Sequence, residues 1–249
     1  MAKEKAYKLV AFQENISNSK AKELIDRGLV SVGGRKLTIA RGEISDATIF
    51  KVQEPQITKV IFEDDDIIAV NKPAFETAES VAKSFPQAIL LNRLDKETSG
   101  VMLFAKNEEF RRKAIKEFKQ NKVYKEYVAI VEGKVAEEEV IDQPIITHKG
   151  KVARSKIDLE LGKPAKTTII PMFIEGNKSK IKVIIEHGRT HQIRVHLASI
   201  KLPIIGDAQY GKTSSHTNRM LLHSKKTEIL GYTFEAKAPK DFNKFGLGA

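Results

Sequence analysis

Apolar positions along this chain recur with two periods, and the switches between them mark out the elements. Between Ile16 and Gly28, apolar Ala21, Leu24 and Ile25 fall at helical spacing behind a serine and ahead of a glycine, which predicts a short capped helix. Residues 29–32 then read as a strand entering the Gly33-Gly34 turn, with 36–39 returning as the second arm of a hairpin. A second hairpin is predicted from the apolar runs 60–62 and 67–70, which flank Glu63-Asp64-Asp65-Asp66. That acidic turn lacks the alternating ligands and central glycine of a calcium loop, so it reads as solvated. Residues 88–91 and 101–105 predict two buried strands around a polar loop. From Asn107 the period changes again: Phe110, Ala114 and Phe118 are four apart, giving a helix of about four turns capped by Asn107 with Glu108 and Glu109 in its first turn. Strands follow at 123–131, 168–174 and 181–186, and Thr190 is placed to cap a last helix whose buried stripe is Ile193, Leu197 and Ile200.

At 249 residues the chain has room for one large domain and a small one. The stretch Glu54-Pro55-Gln56 reads as the linker, which sets the expected domains at 1–55 and 56–249.

Charge narrows the partners. A formal net charge of +11 calls for a polyanion, either nucleic acid or an anionic membrane surface. The membrane fits poorly, because no apolar run approaches the roughly 18 residues of a spanning helix and residues 1–12 lack the apolar stretch of a signal peptide. The expected compartment is the cytoplasm. The absence of cysteine agrees with it and removes disulfides, thiolate nucleophiles and cysteine-bound zinc.

Candidate chemistry gathers in two places. Asn92-Arg93-Leu94-Asp95-Lys96-Glu97-Thr98-Ser99-Gly100 puts a carboxylate at a strand end beside Arg93, with Gly100 relieving the turn into the next strand. Taken alone, Asp95 reads either as a nucleophile or acid/base group or as a turn-capping aspartate. His187-Gly188-Arg189-Thr190-His191-Gln192-Ile193-Arg194-Val195-His196 is the other. Its histidines invite a metal, but His191 and His196 lie about 140° apart around a helix and do not ligate from one face. Arg194 is placed to reach a carboxylate on a neighbouring strand, and a bidentate pair with Asp95 would orient that group and keep it ionised. Between the two, Tyr127 shares a strand face with Lys125 and Ala129, as a base-stacking ring or an ordinary core tyrosine. Lys72 follows a strand and is placed to steer phosphate. Arg111, Arg112, Lys113, Lys116, Lys119 and Lys122 form a basic helix face that suits either phosphate or plain solvent.

Asn92-Arg93-Leu94-Asp95 with Thr98-Ser99-Gly100, Lys125-Glu126-Tyr127, the Gly188–His196 segment, Gly206-Asp207 with Tyr210-Gly211, and Leu222-His223 stand in the order found in RluA-type pseudouridine synthases. The chain resembles that family over nearly its whole length. The resemblance implies an α+β catalytic domain on a mixed, mostly antiparallel central sheet, isomerising uridine in RNA without metal or cofactor. In it Asp95 is the nucleophile, attacking ribose or ring; Arg194 orients it, Tyr127 stacks on the flipped uracil, and Arg93 enters the gap left in the RNA. Residues 16–52 resemble the S-four type of small RNA-binding domain, which implies that Lys20, Lys22, Arg27, Arg35 and Lys36 face phosphates. Two departures from the family pattern stand out: Asn92 replaces the usual histidine, and Pro73-Ala74-Phe75-Glu76-Thr77 replaces a glycine and histidine. Large-subunit ribosomal RNA is the expected substrate and a monomer the expected state. Transfer RNA is the alternative substrate, and a non-catalytic RNA-binding or ribosome-assembly factor is the rival role.

Overall fold

A computed structural model describes residues 2–148, 150, 153–211, 217 and 219–243. Their contacts separate two compact units, one of residues 2–57 with Thr217 and one of the remainder.

In the first unit β1 (Lys3–Lys5), α1 (Ala6–Glu14), α2 (Asn18–Arg27), β2 (Val30–Val32), β3 (Arg35–Lys36), β4 (Glu43–Ser45) and β5 (Lys51–Val52) follow one another. The helix predicted over 16–28 is α2: Ser17 Oγ accepts the Lys20 N–H at 3.2 Å, and Gly28 closes the last turn at φ 82°. Its Ala21, Leu24 and Ile25 are the buried face. The return arm expected at 36–39 shortens to the two residues of β3, and the sheet runs β3-β2-β5. Sequence reasoning misses α1, which has no side-chain cap at Lys5 and leaves Phe12 89% exposed, so that apolar periodicity does not mark it. Gln13 ties it down by bonding both the N–H and the C=O of Phe50, at 2.8 and 2.7 Å.

The second unit runs β6 (Lys59–Glu63), β7 (Ile67–Lys72), α3 (Ala78–Ala82), β8 (Ile89–Leu90), β9 (Ser99–Ala105), α4 (Glu108–Lys119), β10 (Tyr124–Glu132), β11 (Glu139–Asp142), β12 (Ile145–His148), β13 (Arg154–Ile157), β14 (Lys166–Glu175), β15 (Lys178–Ile185), α5 (Gln192–Ser199), β16 (Leu222–Ile229) and β17 (Tyr232–Glu235). Ten of these strands make one sheet in the order β11-β14-β15-β10-β16-β9-β7-β6, with β17 beside β16 and β8 beside β9. Among the described residues every pairing is antiparallel except β16 with β9, so the unit is α+β on a mixed, mostly antiparallel sheet.

Burial explains the two kinds of strand. The unbroken apolar run Ile67-Ile68-Ala69-Val70 is covered on both sides: Ile67 and Ala69 pack with Phe110 and Ala114 of α4, and Ile68 and Val70 with Ala78 and Val81 of α3. In β15, by contrast, Ser179, Ile181, Val183 and Ile185 are buried and alternate with half-buried Lys178, Lys180 and Lys182. The buried isoleucines and valine join Ile193 and Leu197 of α5 in one core cluster behind Tyr127.

Three expectations need correction. The run 88–91 is not a buried strand; β8 has two residues and Ile89 is 40% exposed, since only one neighbour covers it. Gly100 is not in the turn but inside β9, at φ 117°, where a Cβ would stand 2.1 Å from the Ser224 carbonyl oxygen of β16. The glycine permits the parallel β9–β16 contact that joins the halves of the sheet. Finally, α5 is capped by His191 in the left-handed conformation rather than by Thr190, whose carbonyl instead accepts the Ser155 hydroxyl at 2.8 Å. The helix ends at Ser199, which puts Ile200 at its C-cap.

Candidate active site

The loop carrying Asp95 is anchored at both ends by backbone groups. Leu91 N–H donates to the Leu103 carbonyl at 2.9 Å, and the Asn92 side chain then accepts the Leu103 N–H at 2.7 Å. Asn92 thus takes the place of a strand partner and lets the chain leave β9, a job that needs an acceptor and no titrating ring. Further on, Phe75 N–H donates to Lys96 O at 2.7 Å and Thr98 N–H to Asp95 O at 3.0 Å. Beneath these bonds lies Lys72, which is fully buried. Its ammonium donates to the carbonyls of Pro73 (2.9 Å), Glu76 (2.7 Å) and Lys96 (3.4 Å), binding the 73–76 segment to the Asp95 loop. Burial, with Arg219 nearby, brings its pKa down to about 7. The expectation that Lys72 steers phosphate is therefore corrected: three carbonyls hold its charge inside the unit, away from any surface.

Arg194 rises from the first turn of α5 with its side chain 12% exposed. Its Nη1 donates to Asp95 Oδ2 at 2.9 Å, but its bidentate partner is Asp207, met by Nε at 2.8 Å and Nη2 at 2.9 Å. Nη2 also donates to Gln209 Oε1 at 3.2 Å. The expected bidentate pair with Asp95 is corrected to a single bond, because a carboxylate in the turn just after α5 occupies the fork first. Burial pushes the Asp207 carboxyl up, yet the Arg194 bonds and charge, with the Gln209 and Tyr210 N–H groups, outweigh it and hold the group below its ordinary value. In the sequence Asp207 reads as part of a turn and of one of the family motifs, with no role of its own; its signal is the Gly206-Asp207 pair shortly after an inward-facing arginine.

A cavity of about 90 Å³ opens over this pair, lined by Asp95, Arg93, Tyr127, His191 and Arg194 together with apolar Ile185 and Leu222. Tyr127 is 8% exposed. Burial pushes its phenol up to about 12, with the Ser224 hydroxyl opposing and Asp95 adding to the rise. The ring is a neutral phenol at pH 7. Arg93 stands at the cavity mouth, its side chain 72% exposed and paired with Glu79 at 2.5 Å. His191 comes within 3.8 Å of Asp95 Oδ2 through Nε2 and contacts the Tyr210 hydroxyl at 2.9 Å through Nδ1. His196 is buried elsewhere, with Nδ1 on Thr167 (2.9 Å) and Nε2 at the Gln143 carbonyl (2.8 Å). Asp95, Tyr127, Arg194 and Arg93 thus share one cavity, whereas Lys20, Lys22, Arg27, Arg35 and Lys36 belong to the first unit. There Lys20 and Arg27 pair with Glu23 at 2.9 and 3.2 Å, and Lys22 lies 4.2 Å from the centre of the Tyr7 ring.

An arginine-held carboxylate and a buried aromatic ring thus meet in one small cavity on a mixed sheet. Known proteins name the class. The family model described as RNA pseudouridylate synthase matches residues 66–199, more than half of the chain and the part that carries Asp95, Tyr127 and Arg194. The "uncharacterized RNA pseudouridine synthase" of Helicobacter pylori strain J99 is 52% identical over 240 residues, covering 96% of this chain and 99% of that protein. Ribosomal large subunit pseudouridine synthase D of Pasteurella multocida is 32% identical over 78% of this chain and 69% of its own. Among solved structures, human RNA pseudouridylate synthase domain containing 1 superposes with a TM-score of 0.65 at 26% identity, covering 75% of this chain and 86% of that one. The chain belongs to the RNA pseudouridylate synthase family, and its reaction is the isomerisation of uridine in RNA. Among the described residues no helix is long and apolar enough to cross a membrane.

Proposed function

We propose that this protein converts particular uridines of structured RNA, in the large-subunit ribosomal RNA, to pseudouridine with Asp95 as the nucleophile. The observation that carries the reading is the 2.9 Å bond from Arg194 to Asp95 Oδ2 inside the cavity. Among the described residues both partners of the carboxylate, Arg194 and His191, meet Oδ2, so Oδ1 is the oxygen free to attack.

The target uridine leaves the RNA stack and enters the cavity, where Tyr127 stacks on its ring and Arg93 fills the vacated position. Asp95 Oδ1 bonds to the nucleoside, at ribose or ring, and the bond between C1′ and N1 breaks. The detached uracil turns within walls that exclude water, C5 bonds to C1′, and the carboxylate is released. The hydrogen remaining on C5 then leaves as a proton and the ring regains its conjugation. A phenol pushed up to about 12 does not take that proton as a phenolate; Tyr127 relays it, accepting the C5 proton as it passes its own to the released Asp95 carboxylate.

The substrate assignment rests on the ribosomal substrate in the name of the Pasteurella relative. The N-terminal residues 1–55 act as an S-four type RNA anchor, with Lys20, Lys22, Arg27, Arg35 and Lys36 toward phosphate, and residues 56–249 as the catalytic domain. The enzyme works as a cytoplasmic monomer. Mapping pseudouridine in ribosomal and transfer RNA from cells lacking the protein tests the assignment. Loss at positions of large-subunit RNA, restored by the wild-type protein alone, is expected; loss confined to transfer RNA overturns the substrate, and no loss overturns the function.

A further inference from the structure

His191 stands out because several independent features fix it in one place. It adopts φ 56° and ψ 22°, a conformation that a non-glycine residue enters at a cost, and it does so at the start of α5 without a side-chain cap. What the conformation achieves is a ring edge at the catalytic carboxylate, with Nε2 3.8 Å from Asp95 Oδ2.

The opposite edge of the ring is locked. Nδ1 lies 2.9 Å from the Tyr210 hydroxyl oxygen, which in turn accepts the Ser155 N–H of β13 at 2.8 Å. The Tyr210 hydroxyl, with its oxygen taking the Ser155 N–H, can give its own proton to Nδ1, and in that tautomer the imidazole proton sits on Nε2, on the Asp95 side. Charged and titrating groups face His191 from every side: Asp95 from its loop, Arg194 from α5, and Asp207 and Tyr210 from the turn after α5. Burial, with Arg194 adding to it, outweighs the two aspartates and holds the imidazole below its ordinary value, so the ring is neutral at pH 7.

We propose that His191 is a positioning residue for Asp95, a neutral N–H donor that, with Arg194, holds Oδ2 while Oδ1 attacks. The inference rests on the reading of Asp95 as nucleophile. Arg194 alone offers the carboxylate one bond and allows it to swing about that bond. A second donor to the same oxygen removes that freedom, and the 3.8 Å gap of the free enzyme closes when substrate fills the cavity. Neutrality matters, because an imidazolium would bind the carboxylate as an ion pair and compete with the nucleoside for it.

Glutamine and asparagine separate this role from a structural one, since the glutamine amide nitrogen falls near the place of Nε2 and that of asparagine near Nδ1. The experiment measures the single-turnover rate of pseudouridine formation across pH, with RNA affinity and thermal melting, for His191→Gln, His191→Asn and Asp95→Asn. His191→Gln is expected to keep the wild-type rate at pH 7 within about threefold and to lose the decline that the wild type shows below the ordinary imidazole pKa. His191→Asn is expected to melt and bind RNA like the wild type but to react about 10- to 100-fold more slowly, the worth of a hydrogen bond to a charged group. A wild-type rate in His191→Asn, or an unchanged acid limb in His191→Gln, overturns the proposal. So does loss of folding or RNA binding in both variants, which leaves His191 a structural role. Turnover by Asp95→Asn would instead overturn the nucleophile itself, whichever way the histidine variants behave.

Discussion

Arg194 and Lys20 each carry one positive charge, and the structure uses them in opposite ways. Arg194 is 12% exposed, and its three guanidinium nitrogens are committed at 2.8 to 3.2 Å to Asp207, Asp95 and Gln209. Lys20 is 45% exposed and makes an ion pair with Glu23, a neighbour on its own helix that is equally exposed. A buried charge cannot fall back on water, so its partners fix it and it fixes them. An exposed charge forms pairs worth little individually and acts through its contribution to a salt-screened field. The first is built into the candidate site, and the second stays at the surface, where the proposed RNA anchor uses it.

Short of removing the proposed nucleophile, Asp207→Ala should do the most damage. It strips the fork from Arg194 and leaves a buried guanidinium short of its partner, a loss of about 3–5 kcal/mol of stability in a urea titration. Asp95 loses its orientation with it, and turnover should fall at least as far. The pH dependence carries a sign. Because the folded-state pKa of Asp207 is depressed, its stabilisation is present above the unfolded value and is lost as pH falls through the folded one. That acid-side loss should be smaller in Asp207→Asn than in the wild type. Equal acid sensitivity would show that the Asp207–Arg194 pair is not a buried anchor.

Next in size is Tyr127→Phe, which keeps a stacking ring and loses the hydroxyl. RNA affinity should stay near that of the wild type while product formation stalls. Release of tritium from position five of labelled uridine reads the step directly, and wild-type release would reduce Tyr127 to a platform. Smaller still, and of a different kind, is the effect of Lys20→Ala, Lys22→Ala and Arg35→Ala combined. Affinity for RNA should weaken and its salt slope should flatten by about 0.7 for each phosphate no longer neutralised, with the rate at saturating RNA unchanged. A changed saturating rate would blur the division between buried and exposed charge. Lys20→Ala alone should alter stability by no more than about 0.5 kcal/mol.

The elements that can be read from sequence are those whose signals are local. Ser17 and Gly28 bound α2, Asn107 caps α4 by accepting the Phe110 N–H at 2.8 Å, and the acidic turn 63–66 divides β6 from β7. What escapes depends on parts far apart in the chain or on burial. The reason for Gly100 is a strand more than a hundred residues later, and no turn rule detects it. Lys72 looks like a surface cation until three carbonyls from two loops are seen to enclose it. Asp95 and Arg194 meet across a separation of 99 residues, and the order β10-β16-β9 sets Tyr127 and the Asp95 loop on either side of β16. Periodicity cannot encode that order; the joint resemblance of the motifs carries it. Even so, the fork of Arg194 goes to the nearer Asp207, a choice settled by which carboxylate the turn after α5 presents.

The most direct test of Asp95 as the nucleophile is the paired assay of Asp95→Asn, scoring pseudouridine formed in RNA against RNA bound. The amide has nearly the shape of the carboxylate and can still accept the Arg194 N–H, but it is a far poorer nucleophile. The predicted result is wild-type melting and RNA affinity with no detectable pseudouridine. Appreciable turnover by this variant would contradict the mechanism and remove Asp95 from the centre of the site.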